Sequence, residues 1–200
     1  MKKIAFIFLA ALLIGNFQAI AQIGGKIGYN FAKQSGQETP GMSEKSLNNV
    51  MFGVFLDKDL IPLLDLRVGL EYSPKGTRFE LDDLYIQGTY SYLEIPVQAK
   101  IKLGPVYALG GVYGAYALKG KSENNLLGVV VETDVDFDNA EMKRFDYGMK
   151  FGAGFQLGLG PLHAFAQVEY GIGLQNLNKG DGDAIKNNVL TGSVGVILGF

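Results

Sequence analysis

The stretch Phe145–Leu159, FDYGMKFGAGFQLGL, decides the fold. Its odd positions are Phe145, Tyr147, Met149, Phe151, Ala153, Phe155, Leu157 and Leu159. Its even positions are Asp146, Gly148, Lys150, Gly152, Gly154, Gln156 and Gly158. An amphipathic helix would place apolar residues at i+3 and i+4, whereas strict alternation marks a strand with one apolar face. The same period runs outward in both directions. Tyr92–Leu103 sets Leu93, Ile95, Val97, Ala99, Ile101 and Leu103 against Glu94, Pro96, Gln98 and Lys100. Leu64–Tyr72 sets five apolar residues against Asp65, Arg67, Gly69 and Glu71. Leu162–Leu174 sets Val168, Tyr170 and Ile172 against His163, Gln167 and Glu169. A run over 23–31, weaker ones over 50–58 and 105–118, and a last one over 188–200 bring the expected strands to eight. Most reach the ~9–11 residues that a tilted bilayer-spanning strand needs.

The connections give these strands a topology. Tight turns are expected around Leu60-Ile61-Pro62, at Leu103-Gly104-Pro105 and at Leu159-Gly160-Pro161. Longer polar segments, about 32–48, 76–89, 119–143 and 175–187, make up the other joins. Short and long joins therefore alternate along the chain. An up-and-down barrel then has all its short turns at one end and all its long loops at the other, the asymmetry of an outer-membrane barrel. The expected architecture is an all-β, eight-stranded antiparallel up-and-down transmembrane barrel.

Composition removes other classes. The 200 residues contain no Cys, one His, 18 Lys+Arg and 20 Asp+Glu. This excludes disulfide frameworks, thiolate or multi-His metal sites, a Cys nucleophile and a lipoprotein anchor. A net charge of −2 lacks the basic footprint of a nucleic-acid binder. The 28 glycines, about twice the usual ~7%, fall largely on the polar face and in the turns. Glycine weakens a strand facing water but suits a crowded, narrow lumen.

Residues 1–21, MKKIAFIFLAALLIGNFQAIA, read as a cleaved signal peptide, leaving 22–200 as the barrel domain. Lys2 and Lys3 form its basic start and Ile4–Ile14 its apolar stretch, and Ala19-Ile20-Ala21 precedes the expected cleavage site. The chain ends VGVILGF, with apolar residues two, four and six places before Phe200. That pattern resembles the strand read by the outer-membrane assembly machinery, which is thus one expected partner beside outer-membrane lipid.

The run from Phe52 to Lys121 resembles the outer-membrane β-barrel domain family that includes PorT. The resemblance rests on Phe52-Gly53-Val54-Phe55, on Leu70-Glu71-Tyr72-Ser73-Pro74-Lys75-Gly76 and on Tyr92-Leu93-Glu94-Ile95-Pro96-Val97. Ala108-Leu109-Gly110-Gly111 and Glu169-Tyr170-Gly171-Ile172-Gly173-Leu174 extend it. It implies an eight-stranded barrel without an assigned activity, and PorT's association with protein secretion is one role open to it.

Eight strands leave an interior filled by side chains. The expected lumen set includes Lys26, Arg67, Glu71, Glu94, Lys100, Lys150 and Glu169, read as a structural ion-pair plug or, more sharply, as a proton or small-ion path. Pro96 is expected to face inward and mark a bulge or kink. Tyr29, Tyr72, Tyr107, Tyr113, Tyr147 and Tyr170 are expected at or near outward positions, as girdles in a chain without Trp. His163 should lie inward at the turn end, holding a structural hydrogen bond. Asp134, Asp136 and Asp138 open like a calcium loop, but Asn139 and Phe145 break the pattern, and the acids there and at 180–183 read as solvated loops. No catalytic, cofactor-binding or metal-binding residue is assigned. The expected function is a non-enzymatic envelope component with an envelope protein partner, a secretion assembly being one setting for it. The alternatives are a small barrel enzyme acting on lipid or peptide and a soluble periplasmic ligand-binding barrel.

Overall fold

In the computed structural model the described residues are 21–36, 43–81, 84–126, 129–137, 142–180 and 182–199. Residues 1–20, on which the expected signal peptide falls, and Asp138, Asn139, Glu141, Asp181 and Phe200 lie outside them. Eight long strands carry the fold: β1 (Ala21–Ser35), β3 (Leu47–Ile61), β4 (Leu64–Leu81), β5 (Leu84–Leu103), β6 (Val106–Leu126), β8 (Phe145–Leu159), β9 (Leu162–Gly173) and β10 (Lys186–Leu198). Two short strands, β2 (Ser43–Lys45) and β7 (Val129–Asp134), complete the set. Each long strand pairs antiparallel with its chain neighbour, and β1 pairs with β10 to close the ring. The expected barrel is therefore present, with β2 added to β4 and β7 added to β6.

Tight turns at Pro62–Leu63, Gly104–Pro105 and Gly160–Pro161 all lie at one end. The long segments at the other end are less loop-like than their polarity suggests. Across 76–89, β4 and β5 continue as one ladder up to Leu81↔Leu84. Across 119–143, β6 runs on to Leu126 and β7 folds back along it. Polar residues on both faces hid these extensions, because a ribbon standing in water has no apolar face to alternate against.

The outward face is a continuous apolar surface: Ile27, Val54, Leu70, Ile95, Val112, Phe151, Val168 and Val194 are all exposed. Tyrosines gather on it toward the loop end, where Tyr116 lies opposite Phe145 and Phe52 stacks on Tyr72 at 5.2 Å. Tyr29, Tyr147 and Tyr170 face outward as expected. Tyr107 and Tyr113 do not: they are 2% and 4% exposed and point into the lumen. Gly and Ala leave the two faces of this strand alike in sequence, and the facing is set across the lumen. The Tyr107 ring lies where a side chain at Gly154 would stand, 2.3 Å from that Cβ position.

Two irregularities shape the wall. Opposite Pro96 the β4–β5 ladder lapses at Gly69 and Leu70, then resumes in the same register, so the expected bulge is only an interruption. The register shift of β5–β6 lies instead at Ser91/Tyr92. Beyond Tyr72, β4 leaves β3 and leans across the mouth toward β1, where the Asn30 side-chain amide donates to Ser73 Oγ and the Pro74 carbonyl at 3.0 Å each. Pro74 has no N–H to lose. Gly76, at φ 154°, passes within 1.9 Å (Cβ position to oxygen) of the Gly88 carbonyl, which only glycine permits.

Candidate functional site: a closed, charge-filled lumen and an outer ribbon

All seven charged residues expected in the lumen are buried there. They form a ladder in which Lys26, Lys150 and the neighbouring Lys75 each lie between two carboxylates. Asp146 meets Lys75 at 3.1 Å, Lys75 meets Glu94 at 2.7 Å, and Glu94 meets Lys150 at 2.5 Å. Lys150 then meets Glu71 at 3.0 Å, and Lys26 joins Glu71 to Glu169 at 2.8 Å on each side. Gln98 and Gln167 donate to Glu169, and Gln167 accepts from Arg67 Nη1 at 3.0 Å. Arg67 grips Asp57 through Nε and Nη2 at 2.6 and 2.7 Å, and Lys100 reaches the same carboxylate at 3.0 Å. Acids and bases balance along the column, which is the condition for keeping such groups out of water.

Lys75, Asp57 and Asp146 belong to this ladder and were not in the expected set. Lys75 and Asp146 follow the alternation. Lys75 continues the inward parity of Arg67 and Glu71 past Tyr72, and Asp146 stands on the same face as Lys150. Asp57 lies in a run too weakly patterned to assign a face.

Both ends of the column are plugged. At the turn end Phe55, Phe165 and Ile197 pack together, with Phe55 and Phe165 edge-on at 5.6 Å and the Arg67 guanidinium 3.9 Å from the Phe55 ring centre. At the loop end Tyr92, Tyr113, Ala115, Ala117 and Phe137 form a second cluster. Lys75 lies 4.1 Å from the Tyr113 ring centre. The described residues between β7 and β8 and between β9 and β10 are tied together here, Lys179 Nζ donating to the Phe137 carbonyl at 2.8 Å and Lys143 Nζ to that of Asn176 at 2.9 Å.

His163 stands inward beside the turn end, opposite Gly158 and Ile197. Its Nδ1 is buried without a hydrogen-bond partner, so the structural hydrogen bond expected of it is not made there. Among the described residues no group of three His, Asp or Glu side chains gathers as a metal site.

Outside the mouth, β7 is the outermost strand of a ribbon, added to the stretch of β6 that β5 pairs from the other side. Beside it lies a cavity of about 530 Å³ lined by Lys119, Lys121, Glu132, Asp134 and Arg144 among others. Lys121 pairs with Glu132 at 3.3 Å, and this carboxylate holds the ammonium above its usual pKa.

Residues 16–179 match the family model described as outer membrane protein beta-barrel domain. The chain belongs to that family. This outer membrane beta-barrel protein thus resides in the outer membrane, its apolar outward face against lipid. No curated protein matches it. Among solved structures it is similar to Neisserial surface protein A, at 15% identity and a TM-score of 0.46, covering 90% of this chain and 97% of that one. It is similar to Ail, the attachment invasion locus protein of Yersinia pestis, at 15% identity and a TM-score of 0.44, covering 92% and 100%. OprG from Pseudomonas aeruginosa gives 12% identity and a TM-score of 0.48 over 91% and 96%.

Proposed function

We propose that this protein is a non-enzymatic envelope anchor: a closed barrel that holds an interaction surface at the outer face for an envelope protein partner. The observation that carries the reading is the lumen. A column of paired charges fills it and aromatic clusters stopper both ends, which leaves the outer ribbon and mouth segments as the chemically available surface. Membership in the PorT-like branch, with a part in a secretion assembly, belongs to this reading, supported by the Tyr-Ser-Pro-Lys-Gly and Tyr-Leu-Glu-Ile-Pro segments at 72–76 and 92–96. So do a leader cleaved after Ala21 and capture by the assembly machinery through the strand ending at Phe200.

Two measurements test it. Vesicles carrying the barrel should take up small sugars no faster than empty vesicles, and crosslinkers placed in the outer ribbon of intact envelopes should trap a defined protein. Sugar flux through the wild-type barrel, or crosslinks to lipid alone, would replace the anchor by a transport role. The enzyme alternative has its own assay. Phospholipid and peptide substrates should show no turnover, and a turnover that His163→Ala abolishes without unfolding the barrel would make this an enzyme.

A further inference from the structure

The β6–β7 ribbon has one edge that no strand covers: among the described residues β7 pairs with β6 alone. The register tells which backbone groups that edge offers. It runs from Leu126↔Val129 to Lys121↔Asp134, and the Val135 N–H then donates to the Gly120 carbonyl at 2.9 Å. Hydrogen-bonded positions alternate in an antiparallel pair. Counting back from Val135, Thr133, Val131 and Val129 turn their N–H and C=O groups toward β6. Val130, Glu132 and Asp134 turn theirs outward.

The edge is poorly protected against strand addition in general yet charged against itself. Its sequence VVVETD has no Pro and no Lys, and its register has no bulge, the devices that usually blunt an edge. Val130 and Val131 are 50% and 49% exposed although they point to opposite faces, so the ribbon stands clear on both sides. Glu132 faces Glu123 directly across the pair, an arrangement that costs stability, with Lys121 beside it as partial compensation. A strand laid along the free edge with a cation next to Glu132 would relieve that repulsion. A second copy of this chain would instead set Glu132 and Asp134 against their own kind.

We propose that β7 is an acceptor edge for strand addition by an extended, basic segment of a partner protein, with backbone groups of Val130, Glu132 and Asp134 forming the new ladder. This rests on the anchor reading and names its contact surface and mode of recognition.

The probe is a fluorescent acetylated peptide of three Lys-Val repeats, added to the full barrel in detergent micelles. It should bind saturably and more weakly as salt rises, while a Glu-Val peptide and a Lys-Val peptide N-methylated throughout should not bind. Val130→Pro removes one outward N–H and leaves the β6 ladder intact, and should weaken binding by about tenfold, the worth of about one to two hydrogen bonds. Glu132→Gln keeps the N–H and should lose affinity a few-fold together with much of the salt dependence. Retention of a gel band that shifts on boiling certifies that each variant is folded, and if Val130→Pro does not fold, Glu132→Pro takes its place. Equal binding by the N-methylated peptide or by the folded proline variants, or no binding to the wild type, would overturn the proposal. The anchor reading is judged separately: a protein trapped in intact envelopes as strongly by the proline variants as by wild type rejects the β7 edge and leaves the anchor standing.

Discussion

Replacing Lys150 by methionine will destabilise the folded barrel by about 3–5 kcal/mol, the range for removing one partner of a buried ion pair. Lys150 holds Glu94 at 2.5 Å and Glu71 at 3.0 Å, all three nearly without solvent contact. Without its ammonium, four carboxylates (Asp146, Glu94, Glu71 and Glu169) share only Lys75 and Lys26. The lost methylene packing is small, since methionine fills much the same volume, so the effect isolates charge. Urea titration of the barrel in micelles measures it. Adding Glu94→Gln to the methionine variant removes one of the stranded charges and should restore a large part of the loss. A Lys150→Met barrel within about 1 kcal/mol of wild type would show that water reaches the ladder and that the column is not a sealed plug.

Gly111→Val should stop the barrel from forming, whereas Gly110→Val should be tolerated. The two glycines are neighbours on β6 and face opposite ways. A Cβ at Gly111 would lie 2.0 Å from the Val97 carbonyl oxygen and 2.6 Å from Gln98 Cα, backbone atoms of the paired strand that cannot move aside. The cost exceeds the ~1–3 kcal/mol usual for overpacking, where side chains can yield. At Gly110 the nearest atom is Phe151 Cδ1 at 3.7 Å, an ordinary contact on the lipid side. The fraction of protein whose gel band shifts on boiling reports the outcome for both. Equal assembly of the two variants would mean that the inner face of β6 has room for a side chain and does not require glycine.

The pair also shows how far the composition could be read. Excess glycine pointed to a narrow filled interior, and the inner face bears this out where aromatic rings occupy the space of missing side chains. Phe55 fills the space at Gly24, and Tyr107 that at Gly154. Which strand carried those rings was not legible. On β6 both sides mix small residues with tyrosine and aliphatics, Leu109 standing inward with Tyr107 and Tyr113 and Tyr116 outward with Val112, and nothing local separates them. The ladder divides in the same way. Lys26, Arg67, Glu71, Glu94, Lys100, Lys150 and Glu169 declared themselves by parity within their own strands. Lys75 lies where turn-like residues Pro74 and Gly76 masked the parity, and only the lean of β4 toward Asn30 explains how it reaches Asp146.

By itself, then, the sequence determined the strands, their order, the asymmetry of their connections and most of the inner charges. All of these are recorded in a period of two and in turn chemistry, which are local. The tertiary structure alone decided the ion-pair partners, the inward tyrosines, the plugged ends and the free edge of β7. Those depend on how far each strand is staggered when β1 meets β10 and on how long the ribbons run beyond the wall. Closure sets residues 143 positions apart, Lys26 and Glu169, in contact within the lumen, and no local pattern specifies that stagger.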